Sequence, residues 1–303
     1  LKLPSNVTLC EVGLRDGLQN EPKILTTSEK LKFAEGLINA GFKVIELGSF
    51  MNPKAVPQMA DTDELFKSLN NINGVELRAL TANKKGVERA INCGCRKIKL
   101  NVSASKGHNL ANINKTPEET VAGFAENVDL AVKNGLEVSG SISMPFASPW
   151  EGIIPVKDVE NIVEAYLRAG IREISLSDAS GMAVPNQVYD MCISMRKKYP
   201  DVKWWLHFHN TRGMAMANIL ASMEAGITNF DSALGGFGGC PFVPGAAGNV
   251  STEDVVHMMD EMGIETGIDI LKIIEMAGSL KAVLGHEGDS YILKAGRSKD
   301  LFK

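Results

Sequence analysis

At 303 residues, 44% hydrophobic, 22% charged and with a formal net charge of −4, the chain has the balance of a globular protein, long enough for one large α/β barrel or two ordinary domains. The mild negative charge leaves no electrostatic footprint for nucleic acid or an anionic membrane, and no run approaches eighteen apolar residues, so neither partner is expected. Five cysteines (Cys10, Cys93, Cys95, Cys192, Cys240) form an odd, scattered set that fits a reducing compartment better than a disulfide framework. A cytoplasmic location is expected, although the chain opens at Leu1 rather than Met, which leaves room for a trimmed organellar targeting segment.

A first strand is expected over residues 7–12. After it a phrase recurs along the chain: a helix-like segment, a glycine, then a short β-branched run. Gly41 precedes residues 44–47, Gly74 precedes 75–80, Gly94 precedes 97–102, Gly135 precedes 136–142, Gly170 precedes 173–176 and Gly226 precedes 227–234. Each glycine can supply the left-handed cap that ends a helix, and each run has the length of a buried parallel strand. Residues 202–209 make one more strand, with Pro200 as the breaker. The helices fall near 28–40, 60–70, 84–92, 117–133, 156–168, 184–198, 212–225 and 252–262. Cys93 and Cys95, flanking Gly94, read as helix-end packing, because no second ligand pair accompanies them.

Eight βα units in about 260 residues predict a TIM (β/α)8 barrel, a single domain over residues 1–303. A doubly wound sheet fits less well, since no nucleotide-type glycine fingerprint follows the first strand. Residues 267–284 read as an additional C-terminal helix, and the tail to Lys303 as an appendage.

Active sites of such barrels lie at the C-terminal strand ends, so those ends are where the polar residues matter. The first carries Arg15, Asp16 and Gln19, the second Glu46 and Ser49, and the fourth Asn101. The sixth carries Ser175 and Asp178, and the seventh His207 and His209. After the eighth comes a glycine- and proline-rich loop, residues 235–249, holding Cys240 at its middle and Asn249 at its far hinge. Its length and composition predict a mobile lid.

His207 and His209 share a strand face, so two imidazoles point into the barrel together. A divalent cation with Asp16 as an oxygen ligand explains them, and mixed imidazole and oxygen ligands suit Mg or Mn holding a chelating substrate. A pair of hydrogen-bonded core histidines is the bland alternative. Arg15 beside Asp16 fits an oxyanion and a metal in one place, against a simple loop ion pair. A thiol on a glycine lid suits an acid, base or nucleophile, against a packing cysteine.

These pieces coincide in one family pattern. Val12-Gly-Leu-Arg-Asp-Gly-Leu-Gln-Asn-Glu21, Ile45-Glu46 with Ser49-Phe50, His207-x-His209 and Gly235-Gly-x-Gly-Gly-Cys-Pro-x-x-Pro-Gly-x-x-Gly-Asn249 resemble the 3-hydroxy-3-methylglutaryl-CoA lyase family over essentially the whole chain. The resemblance implies a Mg- or Mn-dependent barrel that cleaves a 3-hydroxyacyl-CoA into a ketoacid and acetyl-CoA, most directly 3-hydroxy-3-methylglutaryl-CoA into acetoacetate and acetyl-CoA. It implies Asp16, His207, His209 and Asn249 as metal ligands and Arg15 as the enolate stabiliser. Cys240 would be the catalytic thiol, with Glu46 and Asp178 as supporting acid/base groups and His207 open to either role. Gln19, Ser49, Asn101 and Ser175 would meet the CoA thioester substrate beside Arg15. A homodimer or larger homo-oligomer is implied, with residues 267–284 placed to pack between subunits.

The pattern is broken at Leu14, at Asn210 after the second imidazole, at Ala179, and over residues 144–152 after the fifth strand. These departures leave the acyl group open. The competing readings are a lyase for a different 3-hydroxyacyl-CoA, a Claisen-type synthase and a non-catalytic metal- or acid-binding barrel. The synthase reading lacks a place for the Cys240 lid, and the binding reading has no use for its thiol.

Overall fold

The computed structural model describes residues 1–239 and 247–302. Eight parallel strands close into a barrel: β1 (Thr8–Glu11), β2 (Val44–Ser49), β3 (Glu76–Thr81), β4 (Lys97–Ser103), β5 (Glu137–Ser143), β8 (Glu173–Asp178), β9 (Lys203–Phe208) and β10 (Asn229–Ser232), with β10 pairing back to β1. Strands β6 (Ala147–Ser148) and β7 (Gly152–Ile153) form a separate antiparallel hairpin after β5. Around the barrel run α1 (Thr27–Asn39), α2 (Thr62–Leu69), α3 (Lys84–Cys93), α4 (Lys106–Ile113), α5 (Pro117–Ala122), α6 (Phe124–Lys133), α7 (Val156–Arg168), α8 (Pro185–Lys198), α9 (Ala215–Glu224) and α10 (Thr252–Glu261), followed by α11 (Ile270–Leu284) and α12 (Ile292–Ala295). The TIM-barrel expectation therefore stands. No helix among the described residues is long and apolar enough to cross a membrane.

The glycine phrase works as its chemistry requires. Gly41, Gly74, Gly94, Gly135, Gly170 and Gly226 all have φ between 79° and 109°, a region where a Cβ is disfavoured. Polar caps start the helices: Thr26 and Glu29 form a capping box at α1, and Asn83 accepts the Gly86 N–H at α3. The helix expected over 117–133 is broken at Gly123 into α5 and α6, and α4 is an addition capped by Ser105.

Strand faces divide sharply. In β4, Ile98, Leu100 and Val102 join the main apolar core between barrel and helices, while Lys97, Lys99, Asn101 and Ser103 alternate with them. The lumen is thus unusually charged for a fold whose interior is usually filled by branched aliphatics. At its N-terminal end Lys97 pairs with Glu76 (2.9 Å) and Glu173 (2.8 Å), and Arg78 pairs with Glu173 (3.0 Å) and lies over the Trp205 ring. A small apolar cluster of Cys10, Val12, Val44, Trp205 and Ala233 packs among these charges.

The C-terminal segment is packed rather than appended. Asp254 at the start of α10 accepts the N–H groups of Tyr291 (3.0 Å) and Ile292 (2.9 Å), and His286 bonds Glu21 at 2.6 Å. Cys93 and Cys95 are buried and point their thiols at backbone carbonyls of Ala90 and Lys97, as helix-end packing requires.

Candidate active site

After β1 the backbone makes a π-helical turn, Gly13–Gly17, in which the Arg15, Asp16 and Gly17 N–H groups all converge on the Val12 carbonyl. The wide turn turns Arg15 and Asp16 together over the barrel mouth. Arg15 bridges two carboxylates, donating from Nε to Glu46 on β2 and from Nη1 to Asp16 at 2.5 Å. Burial works to raise the Asp16 carboxyl, but the Arg15 charge, a bond from His209 and the His207 charge outweigh it and hold it well below the usual carboxylate range. Glu46 is treated the same way: burial opposes ionisation, and Arg15 and Lys99 win, lowering it.

His207 and His209 point inward from the end of β9, their ring centroids 5.1 Å apart. Their Nε2 atoms lie 3.8 and 3.4 Å from Asp16 Oδ2, and one ligand atom from each of the three residues falls within 4.8 Å of the others. His207 Nδ1 meets Asp231 Oδ2 of β10 at 3.2 Å, which orients the ring with its Nε2 toward Asp16. Asn249 joins them through the backbone: it bridges His209, while Asn210 N donates to Gly248 O and Val250 N to Phe208 O. Its Nδ2 donates to Asp16 Oδ2 (2.8 Å) and Phe237 O (3.0 Å). Its Oδ1 is buried without a hydrogen-bond partner, as is His209 Nδ1. Gly238, at φ 109°, permits the approach, since a Cβ there would stand 2.6 Å from Asn249 Nδ2 and 2.9 Å from Asp16 O.

A cavity of about 130 Å³ opens beside this cluster. Arg15, Asp16, Gln19, Asn101, His207 and His209 all line it, so these expected residues are brought together. Its far wall is polar: Ser141, Ser143 and Ser177, with Ser143 Oγ donating to Asn101 Oδ1 at 3.0 Å. Ser175 lies deeper in the lumen than Ser177, its hydroxyl buried without a partner. Glu46 is fully buried beneath Arg15 and paired with it.

Two expected site residues are placed elsewhere. Asp178 shares the outward face of β8 with Ile174 and Leu176; it accepts from Ser180 Oγ and from the Met182 and Ala183 N–H groups, tying down a loop. Ser49 follows an irregularity in β2; its Oγ accepts the Met51 N–H, and its own N–H donates to Thr62 Oγ1, each at 3.2 Å. Neither lines the cavity. Cys240 and the centre of the expected lid lie outside the described residues. Three carboxylates and a lysine went unread: Glu11, Asp231, Glu151 and Lys99. The alternation Lys97-x-Lys99-x-Asn101-x-Ser103 carried the signal for Lys99, and the same period in β10 carried it for Asp231.

An HMGL-like family model matches residues 6–279. The chain belongs to the HMGL-like family. Over 96% of its length it is 39% identical to an (R)-citramalyl-CoA lyase of Chloroflexus aurantiacus, covering 95% of that protein. It is 37% identical to a hydroxymethylglutaryl-CoA lyase of Bacillus subtilis, over 93% of this chain and 94% of that one. A solved structure of an HMG-CoA lyase from Acinetobacter baumannii, in complex with coenzyme A and 3-methylmalate, superposes with a TM-score of 0.94 at 41% identity, covering 99% of this chain and 98% of that one. This HMGL-like protein is accordingly an enzyme of the oxo-acid lyase type.

The departures from the family pattern have visible consequences in this HMGL-like enzyme. Asn210 gives the His209 ring no hydrogen bond, His209 Nδ1 having no partner; its Oδ1 accepts the Ala215 N–H at the start of α9. Ala179 lines the cavity and Leu14 is buried. Residues 144–152 build the β6–β7 hairpin, whose Glu151 accepts from Ser105 Oγ (2.5 Å) and Gly107 N (2.8 Å). That latch holds α4, which contributes His108 and Asn112 to the cavity wall. Burial pushes His108 down to about 4, so the wall carries a neutral imidazole near pH 7.

Glu11 and Glu253 brace the loop after β10: Glu11 accepts from Gly13 N, Leu234 N and Thr252 Oγ1, and Glu253 from Gly235 N. Burial raises both carboxyls to about 7 against these lowering bonds. Between the model-compound value of 4.5 and about 7 the folded state then binds more protons than the unfolded one, so stability falls as pH rises through that window. Urea unfolding at pH 5.5 and 7.5 is expected to show the lower-pH sample as more stable, and Glu11→Gln to flatten the difference. A slope of the opposite sign would show that the donors to these carboxylates outweigh burial.

Proposed function

We propose that this enzyme is a divalent-metal-dependent lyase that breaks the C2–C3 bond of a 3-hydroxyacyl-CoA, with 3-hydroxy-3-methylglutaryl-CoA giving acetoacetate and acetyl-CoA as the leading reaction. The observation that carries it is the meeting of Asp16, His207 and His209 with Arg15 on the wall of one cavity. The donor set fits a hard divalent ion: one carboxylate, two imidazoles, and an Asn249 carbonyl oxygen buried without a hydrogen-bond partner. Such an ion would supply a Lewis acid that makes the 3-hydroxyl acidic and fixes the acyl end.

The residues of the chain do the rest. The 3-hydroxyl would pass its proton to a base on the cavity wall, the role left open to His207. As the C2–C3 electrons move into the thioester, negative charge grows on its oxygen, and the Arg15 guanidinium is the cation at hand. Glu46 and Asp16 already hold two of its nitrogens, so its orientation is set before substrate arrives. The remaining enolate carbon needs a proton, which Cys240 on the glycine loop would deliver from its thiol. Mg and Mn are the expected ions, CoA the carrier half of the substrate.

Substrate identity has a second reading. An (R)-citramalyl-CoA lyase is 39% identical to this chain, and the hydroxyls and amide of Asn101, Ser141, Ser143 and Ser177 can meet the free carboxylate that both acyl groups carry. Citramalyl-CoA differs from 3-hydroxy-3-methylglutaryl-CoA by one methylene, and a single methylene separates substrates by only about 10–200-fold. Purified enzyme with Mg or Mn should therefore be given a panel of 3-hydroxyacyl-CoAs while acetyl-CoA release is followed. Release from 3-hydroxy-3-methylglutaryl-CoA supports the leading reaction, faster release from citramalyl-CoA transfers the assignment, and silence across the panel sinks the lyase reading.

A further inference from the structure

Beneath the cavity the charged side chains close a circuit. Asp16 is paired with Arg15 (2.5 Å), Arg15 with Glu46, Glu46 with Lys99 (2.5 Å), Lys99 with Asp231 (3.5 Å), Asp231 with His207 (3.2 Å), and His207 Nε2 faces Asp16 at 3.8 Å. The circuit has two arms, one through Arg15 and Glu46, the other through Asp231 and His207, and Lys99 is the group that joins them. The Lys99 side chain is 4% exposed, Asp231 2% and Glu46 fully buried. An ammonium taken so far from water is retained only if its partners compensate it, so its position in the lumen is not incidental.

Asp231 shows why the joint matters. Lys99 and His207 both bond its Oδ2, while its Oδ1 is buried with no hydrogen-bond partner. Among the described residues, nothing else hydrogen-bonds this carboxylate. The place of Oδ2, and with it the direction of the bond to His207 Nδ1, depends on the ammonium. His209 has no such support, its Nδ1 being buried without a partner. One ring of the pair is therefore held from behind and the other is not.

We propose that Lys99 is a positioning residue for His207: by pinning Asp231 it fixes the ring with Nδ1 as donor and Nε2 turned to Asp16, and it couples that ring to the Arg15–Glu46 arm. The proposal rests on the metal-site reading for its binding consequence but not for its structural one. Without the ammonium, His207 is the one group among the described residues left bonding the Asp231 carboxylate, and the ring loses a single tautomer and a single orientation. Outer partners of this kind are worth roughly 10–100-fold in metal affinity.

The test uses the full chain labelled with 15N-histidine, with ring nitrogen shifts read by NMR without metal and Mn affinity read by calorimetry. Lys99→Met is expected to move the His207 ring signals from one tautomer to a mixture, to leave those of His209 in place, and to weaken Mn binding about 10–100-fold. Unchanged His207 signals with Mn affinity within about twofold of the parent overturn the proposal, and so does an equal disturbance of both rings, which marks general loosening. If Lys99→Met does not fold, Lys99→Met/Asp231→Asn removes one charge of each sign and is read instead; parental Mn affinity in that protein also overturns it. A parent chain that binds no Mn defeats the metal reading alone, and the ring signals still decide the role of Lys99.

Discussion

Stripping divalent cations from the purified enzyme is expected to abolish acetyl-CoA release, and Mg or Mn to restore it. Asp16, His207 and His209 are the one such cluster among the described residues, and Asp16 is kept ionised by Arg15 against its own burial. Beside it the Asn249 amide oxygen is buried without a hydrogen-bond partner, a cost that a bound cation would offset. His209→Ala removes a proposed direct ligand, so it should cost more than the roughly 100-fold ceiling of an outer partner. Calorimetry with Mn and initial rates measured on the same preparations check both statements. Full activity in excess chelator would remove the metal from the mechanism and leave Arg15 alone to stabilise the enolate.

The fold was legible because its punctuation is local. Gly94 ends α3 with φ 79° for reasons contained in the residue itself, and Ile98, Leu100 and Val102 announce a strand without knowing their neighbours. The helix expected near 28–40 lies at Thr27–Asn39 for the same reason. The candidate site was legible only where chemistry and strand parity coincide. His207 and His209 share parity with Trp205 and face the lumen; Asp178 sits on the other face of its strand, and a carboxylate at a strand end gives no sign of which way it turns. Outward carboxylates such as Glu11 and Asp178 tie loops, whereas inward ones such as Glu46 and Asp231 set charges in the site. Lys99 was illegible for a different reason. A lysine in a strand ordinarily reads as solvent-facing, and only the meeting of Glu46 from β2 and Asp231 from β10 across the lumen makes its burial tenable. The docking of residues 286–292 onto Glu21 and Asp254 likewise joins segments too distant in sequence for any local pattern to register.

Cys240→Ala is expected to lower turnover by about 10²–10⁴-fold while leaving Mn affinity within about twofold of the parent. Gly239, the residue before it in sequence, lines the cavity, and its carbonyl accepts a bond from Asn20 at 2.8 Å. The four described cysteines offer no competing thiol: Cys10, Cys93, Cys95 and Cys192 are buried, and burial pushes each thiol up, Cys192 to about 12. Brief alkylation with iodoacetamide should consequently label Cys240 first, in step with loss of activity, and bound substrate should slow both. Because the proton is needed only after the C–C bond has broken, the loss should appear in kcat more than in KM. Undiminished cleavage by Cys240→Ala, or activity that survives stoichiometric labelling, would assign that proton to another donor on the cavity wall and reduce the glycine loop to a cover.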